Sequence, residues 1–264
     1  MIETMRIGGL AVMHARPTTV RGPAVLFVHG ILVDWQVWAR WLPFCAERGL
    51  PAFALSLRGH GASGAVAKLG EVSMNDYIDD VAAVARHIGN PAVVGHSMGG
   101  LLAQCVAERG VVQSATLITP APPRGIILFS PKLAINQIKY LPALFLNRPI
   151  VADLEELREI AMNMAPPETQ KRALAQIVPE SGRAMRQLSI TGVPVDASKV
   201  RCPVQAFAAE RDLFVPPKTV AKIAKRYHAP FTTIPGHGHI VIQEPGWESL
   251  AARVADWIET PLSS

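Results

Sequence analysis

Short apolar runs alternate with longer stretches of helical period along most of this chain of 264 residues. The runs are "AVLFVHG" (24–30), "PAFALSL" (51–57), "PAVVG" (91–95), "SATLIT" (114–119), "CPVQAFAA" (202–209) and "FTTIP" (231–235). Runs of this length closed by turn residues read as buried strands, since a buried helix needs more residues. Between them lie amphipathic segments. In residues 75–88, Tyr77, Ile78, Val81, Val84, Ala85 and Ile88 share one helical face, with Asp76, Asp79 and Asp80 in the early turns. Trp38, Leu42 and Cys45 have helical spacing, as do Leu250, Val254, Trp257 and Ile258, and further helices are expected over Met98–Arg109 and Lys218–Tyr227. Strands joined through helices lie parallel, in a sheet covered on both faces. Gly8-Gly9 between Met5–Ile7 and Leu10–His14 adds a hairpin at the start.

The alternation stops at "PAPPRG" (120–125) and resumes at "CPVQAFAA". Between them the sequence is helix-like, and Pro142, Pro149, Pro166, Pro167 and Pro179 cut it into short pieces. The expected organisation is an α/β core made of residues 1–119 and 200–264, with a helical cap inserted over residues 120–199. With 49% hydrophobic residues the chain can bury a sizeable core. No apolar stretch reaches the roughly 18 residues of a membrane span. "MIETMRIGGL" lacks the basic and apolar regions of a signal peptide. Cys45, Cys105 and Cys202 form an odd, scattered set that suits a reducing compartment, so a cytoplasmic protein is expected. The net charge of +5 is spread along the chain without a basic block, which argues against nucleic acid as partner. No cluster of His, Cys, Asp and Glu has metal-ligand spacing, and "GHGASG" lacks the ending of a phosphate loop. Neither metal nor cofactor is expected.

"VVGHSMGG" (93–100) carries the chemistry. Three glycines around one serine, between a strand and a helix, need a reason. A Gly-x-Ser-x-Gly turn lets the chain reverse sharply, with Gly95 and Gly99 relieving the crowding. It lifts the Ser97 hydroxyl above the sheet edge beside the first amides of the next helix. A serine hydroxyl is a weak nucleophile and needs a base, which in turn needs an orienting acid. The order for this architecture is serine, acid, histidine. Asp212 and Glu210 in "AAERDLFVPP" are candidates for the acid, and His239 and His237 in "PGHGHIVIQEP" for the base.

With these residues quoted, the chain resembles the α/β-hydrolase superfamily over nearly its whole length, in the group with a helical cap after the sixth strand. "FVHG" resembles the family's oxyanion loop, "LRGHGAS" its Arg-Gly loop, "GHSMGG" its elbow, "ERDLFVP" its acid turn and "GHGHIVIQEP" its histidine loop. The resemblance selects Asp212, which stands directly before an apolar residue, and His239, which stands five residues before Glu244. Ser56 departs from the pattern, where relatives often carry aspartate. The amides of Ile31 and Met98 are the expected oxyanion donors.

The implied activity is hydrolysis of a carboxylic ester through an acyl-enzyme on Ser97. The Ile-, Leu-, Phe- and Met-rich insertion favours a medium-sized apolar acyl or aryl ester, with Phe129 and Met164 as candidate wall residues. The same triad also serves C–C, lactone and amide hydrolysis and cofactor-free perhydrolysis, and a ligand receptor with little turnover is the alternative of another class. His29 and His60 are expected to brace their own loops, His96 to pack, and Trp35, Trp38 and Trp41 to pack the first helix. The oligomeric state is not encoded in any motif.

Overall fold

The computed structural model describes residues 1–128 and 138–260. Eight strands form one sheet: β1 (Ile2–Ile7), β2 (Leu10–Ala15), β3 (Val25–Val28), β4 (Ala52–Leu55), β5 (Ala92–His96), β6 (Ser114–Ile118), β7 (Val204–Ala209) and β8 (Phe231–Ile234). Their spatial order is β1-β2-β4-β3-β5-β6-β7-β8. The β1–β2 hairpin turns at Gly8 and Gly9, both at positive φ, and β2 runs antiparallel to β4. From β4 to β8 every pairing is parallel.

Register places the site. Val28 pairs with Gly95, His96 with Ile118, and Ile118 with Phe207. The carboxyl ends of β3, β5, β6 and β7 therefore form one rim, where open α/β sheets place their sites. Residues after each strand (His29 to Leu32, Ser97, Thr119 and Asp212) emerge there together.

The sheet separates two apolar layers. Leu26, Val28, Val93 and Leu117 pack against α2 (Met74–Ile88) and α3 (Met98–Glu108). Phe27, Val94, Ile118 and Phe207 point the other way, toward Trp38, Trp41, Trp247 and Leu250. This is the period of two that strands impose. Helix α2 carries its own start signal: Ser73 and Asp76 form a reciprocal capping box, and Gly89 closes the helix at φ 95°.

One expectation fails locally. Trp38 does not share a helix with Leu42 and Cys45. Residues Trp35–Trp38 form a separate 3₁₀ turn capped by Asp34, and helix α1 covers Trp41–Glu47. Pro43 explains the break: it has no N–H to give to residue 39, so it is tolerated only in a helix's first turn. Trp38 and Trp41 are still fully buried, with rings edge-to-face at 5.2 Å.

Between β6 and β7 the chain forms short helices over Leu141–Phe145, Leu154–Ile160, Pro167–Leu174 and Gly182–Arg186. Here prolines start helices as much as they end them: Pro142 and Pro167 lie in first turns. Phe129 lies outside the described residues. Among the described residues no helix is long and apolar enough to cross a membrane.

Candidate active site

Ser97 joins β5 to α3 at φ 53° and ψ −119°, a backbone conformation that few non-glycine residues adopt. The neighbouring glycines are a steric requirement. A Cβ on Gly95 would lie 2.1 Å from the Gly99 carbonyl oxygen, and one on Gly99 would lie 2.1 Å from that of Val28. Helix, elbow strand and β3 therefore meet backbone to backbone. Met98 is the first residue of α3, so its N–H has no acceptor within the helix.

Asp212 follows β7 and His239 follows β8. The imidazole Nδ1 of His239 lies 2.8 Å from Asp212 Oδ2, and both side chains are buried. The other Asp212 oxygen accepts the amides of Phe214 and Val215, each at 2.7 Å. Those two bonds fix the carboxylate plane. With Nδ1–H donated to Asp212, the lone pair of His239 lies on Nε2. The Phe214 ring stacks on His239, centroids 4.9 Å apart.

The competing candidates have other partners. Glu210 accepts the Gly236 amide at 2.8 Å. His237 Nδ1 lies 2.8 Å from Glu244, whose carboxylate also accepts the Gly238 amide. Glu244 thus ties the turn that leads into His239. His96 donates from Nε2 to the His239 carbonyl at 2.9 Å. Burial, reinforced by the neighbouring His239, pulls its pKa down to about 3, so it stays neutral. His29 accepts the Leu57 amide at Nε2 (3.1 Å) and donates from Nδ1 to Gly30 (2.8 Å). Burial and the nearby His60 lower its pKa to about 3 as well.

Ser97 sits where two apolar spaces meet. One, of about 60 Å³, is walled by Leu32, Val37, Leu157, Met162, Ile177 and His239. The other, of about 360 Å³, is walled by Pro122, Ile126, Leu128, Met185, Leu188 and Val215. Ile31, Ser97 and Phe214 border both. Met162, rather than Met164, faces this region from the insertion. Ser56 is fully buried, and its hydroxyl has no hydrogen-bond partner among the described residues.

Glu180, which sequence reading passed over, is fully buried beside this site. It lies in the insertion and accepts from Tyr77 (2.7 Å), the Ser181 amide (2.7 Å), His60 (3.2 Å) and the Leu32 amide (3.2 Å). A glutamate after "VP" in a polar stretch reads as solvated surface, and nothing local marks it as a core group. Burial opposes its charge, but His60, Tyr77 and the Ser181 amide outweigh that and hold its pKa below the ordinary value. His60 is shifted up: burial opposes the cation, and Glu180 more than compensates. Among the described residues no group of three His, Cys, Asp or Glu could hold a metal.

Comparison with known proteins places the chain in a family. The chain is 30% identical to bifunctional epoxide hydrolase 2 of Rattus norvegicus over 142 residues, covering 51% of this chain and 25% of the relative. It is 23% identical to epoxide hydrolase 3 of Xenopus tropicalis over 269 residues, covering 91% and 72%. The chain spans only 15% and 25% of the length of the pig and rat bifunctional enzymes that it matches. In structure it is similar to a thermophilic esterase from Thermogutta terrifontis, with a TM-score of 0.72, 22% identity, and coverage of 98% of this chain and 100% of that one. The sequence model of the alpha/beta hydrolase family matches residues 25–256, from the first residue of β3 nearly to the end of the last helix. With that match and the eight-stranded sheet in agreement, the chain belongs to the alpha/beta hydrolase family.

Proposed function

We propose that this hydrolase cleaves carboxylic esters, with Ser97 as nucleophile, His239 as base and Asp212 as its orienting acid. The observation that carries the reading is the Asp212–His239 hydrogen bond of 2.8 Å, with His239 and Ser97 lining the same cavity. His239 Nε2 takes the Ser97 proton as Oγ attacks the ester carbonyl. The oxyanion that forms is held by the amides of Ile31 and Met98. As the tetrahedral intermediate collapses, the C–O bond breaks and His239 protonates the leaving alcohol. Water then repeats the sequence on the acyl-enzyme and frees the acid.

The names of the curated relatives raise epoxide opening as a second chemistry. Ser97 argues against it. Attack of a serine oxygen on an epoxide carbon forms an ether, which water cannot clear by carbonyl addition. A carboxylate nucleophile would form an ester instead. The helical cap over residues 120–199 contributes apolar wall to both spaces around Ser97, which supports a medium-sized apolar acyl or aryl ester as substrate. His239 borders the smaller space and not the larger. The leaving oxygen must lie within reach of His239, so the alcohol occupies the smaller space and the acyl chain the larger.

The test is hydrolysis of p-nitrophenyl esters of graded acyl length, with a fluorophosphonate as serine probe. We expect turnover of several esters and mass labelling at Ser97 that Ser97→Ala abolishes. Labelling that survives this substitution overturns the assignment.

A further inference from the structure

The ester reaction leaves Glu180 unused, yet its side chain and that of its partner His60 are both fully buried. Three of its four hydrogen-bond donors, Leu32, His60 and Tyr77, lie outside the insertion that carries it. Its imidazole partner is saturated too: His60 faces Glu180 from Nε2 and the Arg58 carbonyl from Nδ1 at 3.0 Å. Only the imidazolium donates from both nitrogens. Stability is a weak reason to keep such a pair, because well-packed apolar side chains of similar volume serve as well or better.

What the carboxylate does that an apolar group could not is hold a particular amide. Leu32 has φ 63°, in the left-handed region that leucine rarely occupies. Its N–H is taken by Glu180 (3.2 Å), and its carbonyl accepts the Val178 amide (2.8 Å). One short segment of the insertion thus grips Leu32 on both sides. Residues 150 and 180 in turn exchange amide and carbonyl bonds of 2.8 and 2.9 Å, which anchors that segment. The residue before Leu32 is Ile31, the proposed oxyanion donor. Without that grip Leu32 could leave the left-handed region, and the adjoining backbone of Ile31, which lines the same space as Ser97, would be free to reorient.

We infer that Glu180 is a positioning residue for ester hydrolysis: by holding the Leu32 amide it fixes the direction of the Ile31 N–H, so that the oxyanion site is complete only while residues 178–180 are docked. The assignment rests on the serine-hydrolase reading above. It makes the cap a part of the reaction machinery and not only a wall of the substrate pocket.

The experiment compares Glu180→Ala, Glu180→Gln and Tyr77→Phe for kcat and KM on an apolar ester. It also measures Ki for an apolar alkyl trifluoromethyl ketone, which adds Ser97 reversibly and places an oxyanion where the intermediate's would be. Removing an oxyanion donor outright typically costs a hundred- to a thousandfold, and misdirecting one costs less. Glu180→Ala is expected to lower kcat about ten- to a hundredfold and raise the ketone Ki by a similar factor, with KM within about twofold. Glu180→Gln, which keeps one acceptor oxygen, recovers part of both. Tyr77→Phe, which loses a donor on the other carboxylate oxygen, leaves both within about twofold even where its Tm falls. If Glu180→Ala does not fold, the paired Glu180→Met/His60→Leu variant removes both charges together and leaves Leu32 without its acceptor. It should show the same kcat and Ki losses. Variants that lose Tm while kcat and Ki per folded molecule stay at the wild-type values overturn the inference. A wild-type chain that hydrolyses no ester and is not inhibited by the ketone overturns the hydrolase reading itself, and this assignment with it.

Discussion

Asp212 and His239 lie on different strand ends, 27 positions apart in sequence, yet their side chains meet at 2.8 Å. His237, two residues earlier, meets Glu244 at the same distance. Two histidine–carboxylate pairs therefore stand side by side, but only His239 borders the cavity that contains Ser97. His239→Ala should lower kcat by about a thousandfold or more. His237→Ala should cost roughly tenfold at most, by loosening the turn that Glu244 ties. Steady-state kinetics on one ester, with circular dichroism as the fold control, checks the pair. Equal losses would reject the assignment of the base.

The acid is tested in the same way. Asp212→Asn keeps the size and one acceptor oxygen but stabilises the wrong imidazole tautomer, so kcat should fall by about a thousandfold or more. Glu210→Gln keeps an acceptor for Gly236 and should leave kcat within about twofold. Near-normal turnover in Asp212→Asn would mean that another group orients His239.

Much of this site was legible in the sequence because each part follows a strand. A strand end is marked by an apolar run and a glycine or acidic turn, and parallel register brings all such ends to one rim. That logic brings Ser97, the Glu210/Asp212 turn, the His237/His239 loop and the Ile31 loop to one rim, and the family resemblance makes the choice of Asp212 and His239, the pair that meets at 2.8 Å. It fails where structure is set by contacts between distant segments. Spacing also joins Trp38 to the wrong helix for a local reason, since it ignores the missing N–H of Pro43. Glu180 was invisible because its burial comes from Leu32, His60 and Tyr77, which lie more than a hundred residues earlier.

The elbow should not accept a methyl group. An added Cβ at Gly95 or Gly99 meets backbone oxygen at 2.1 Å, and backbone cannot rotate away as a side chain can. Gly95→Ala and Gly99→Ala should each cost about 3 kcal/mol or more. Gly110→Ala has open space but positive φ, and should cost about 1 kcal/mol. Denaturant midpoints order the three. A Gly99→Ala variant as stable as wild type would contradict the packing at the elbow.

The two spaces should respond separately. Leu188→Ala enlarges the larger one and should shift preference toward longer acyl chains. Met162→Ala enlarges the smaller one and should shift preference toward bulkier alcohols. Each effect is about 1–3 kcal/mol, and KM should change more than kcat. Ester series varied independently in acyl and alcohol length measure both. Reversed responses would swap the two assignments.

Acid should destabilise the fold through two buried imidazoles. His29 and His96 have their pKa values lowered from 6.5 to about 3 by burial. Between those limits the unfolded chain binds two protons that the folded chain does not, so stability falls as pH falls. His60 moves the other way. Its raised pKa adds stability that is fully present below 6.5 and is lost as pH rises through the folded value. Below 6.5 it adds no further slope. Unfolding free energy from urea titrations should therefore drop by roughly 2 kcal/mol between pH 6.5 and 5.5. A flat profile would mean that the two imidazoles reach water in the folded state.

Strands β6 and β7 are hydrogen-bonded neighbours, with Ile118 opposite Phe207, although everything from 119 to 203 intervenes. To the sheet, the whole insertion is one long excursion between adjacent strands. The entropy of closing such an excursion grows only with the logarithm of its length, about 0.6 kcal/mol per doubling. Caps of quite different size could thus be exchanged on this core at small cost to folding. Such grafts would succeed or fail on a local detail: a working replacement must still bring a hydrogen-bond acceptor to the Leu32 amide.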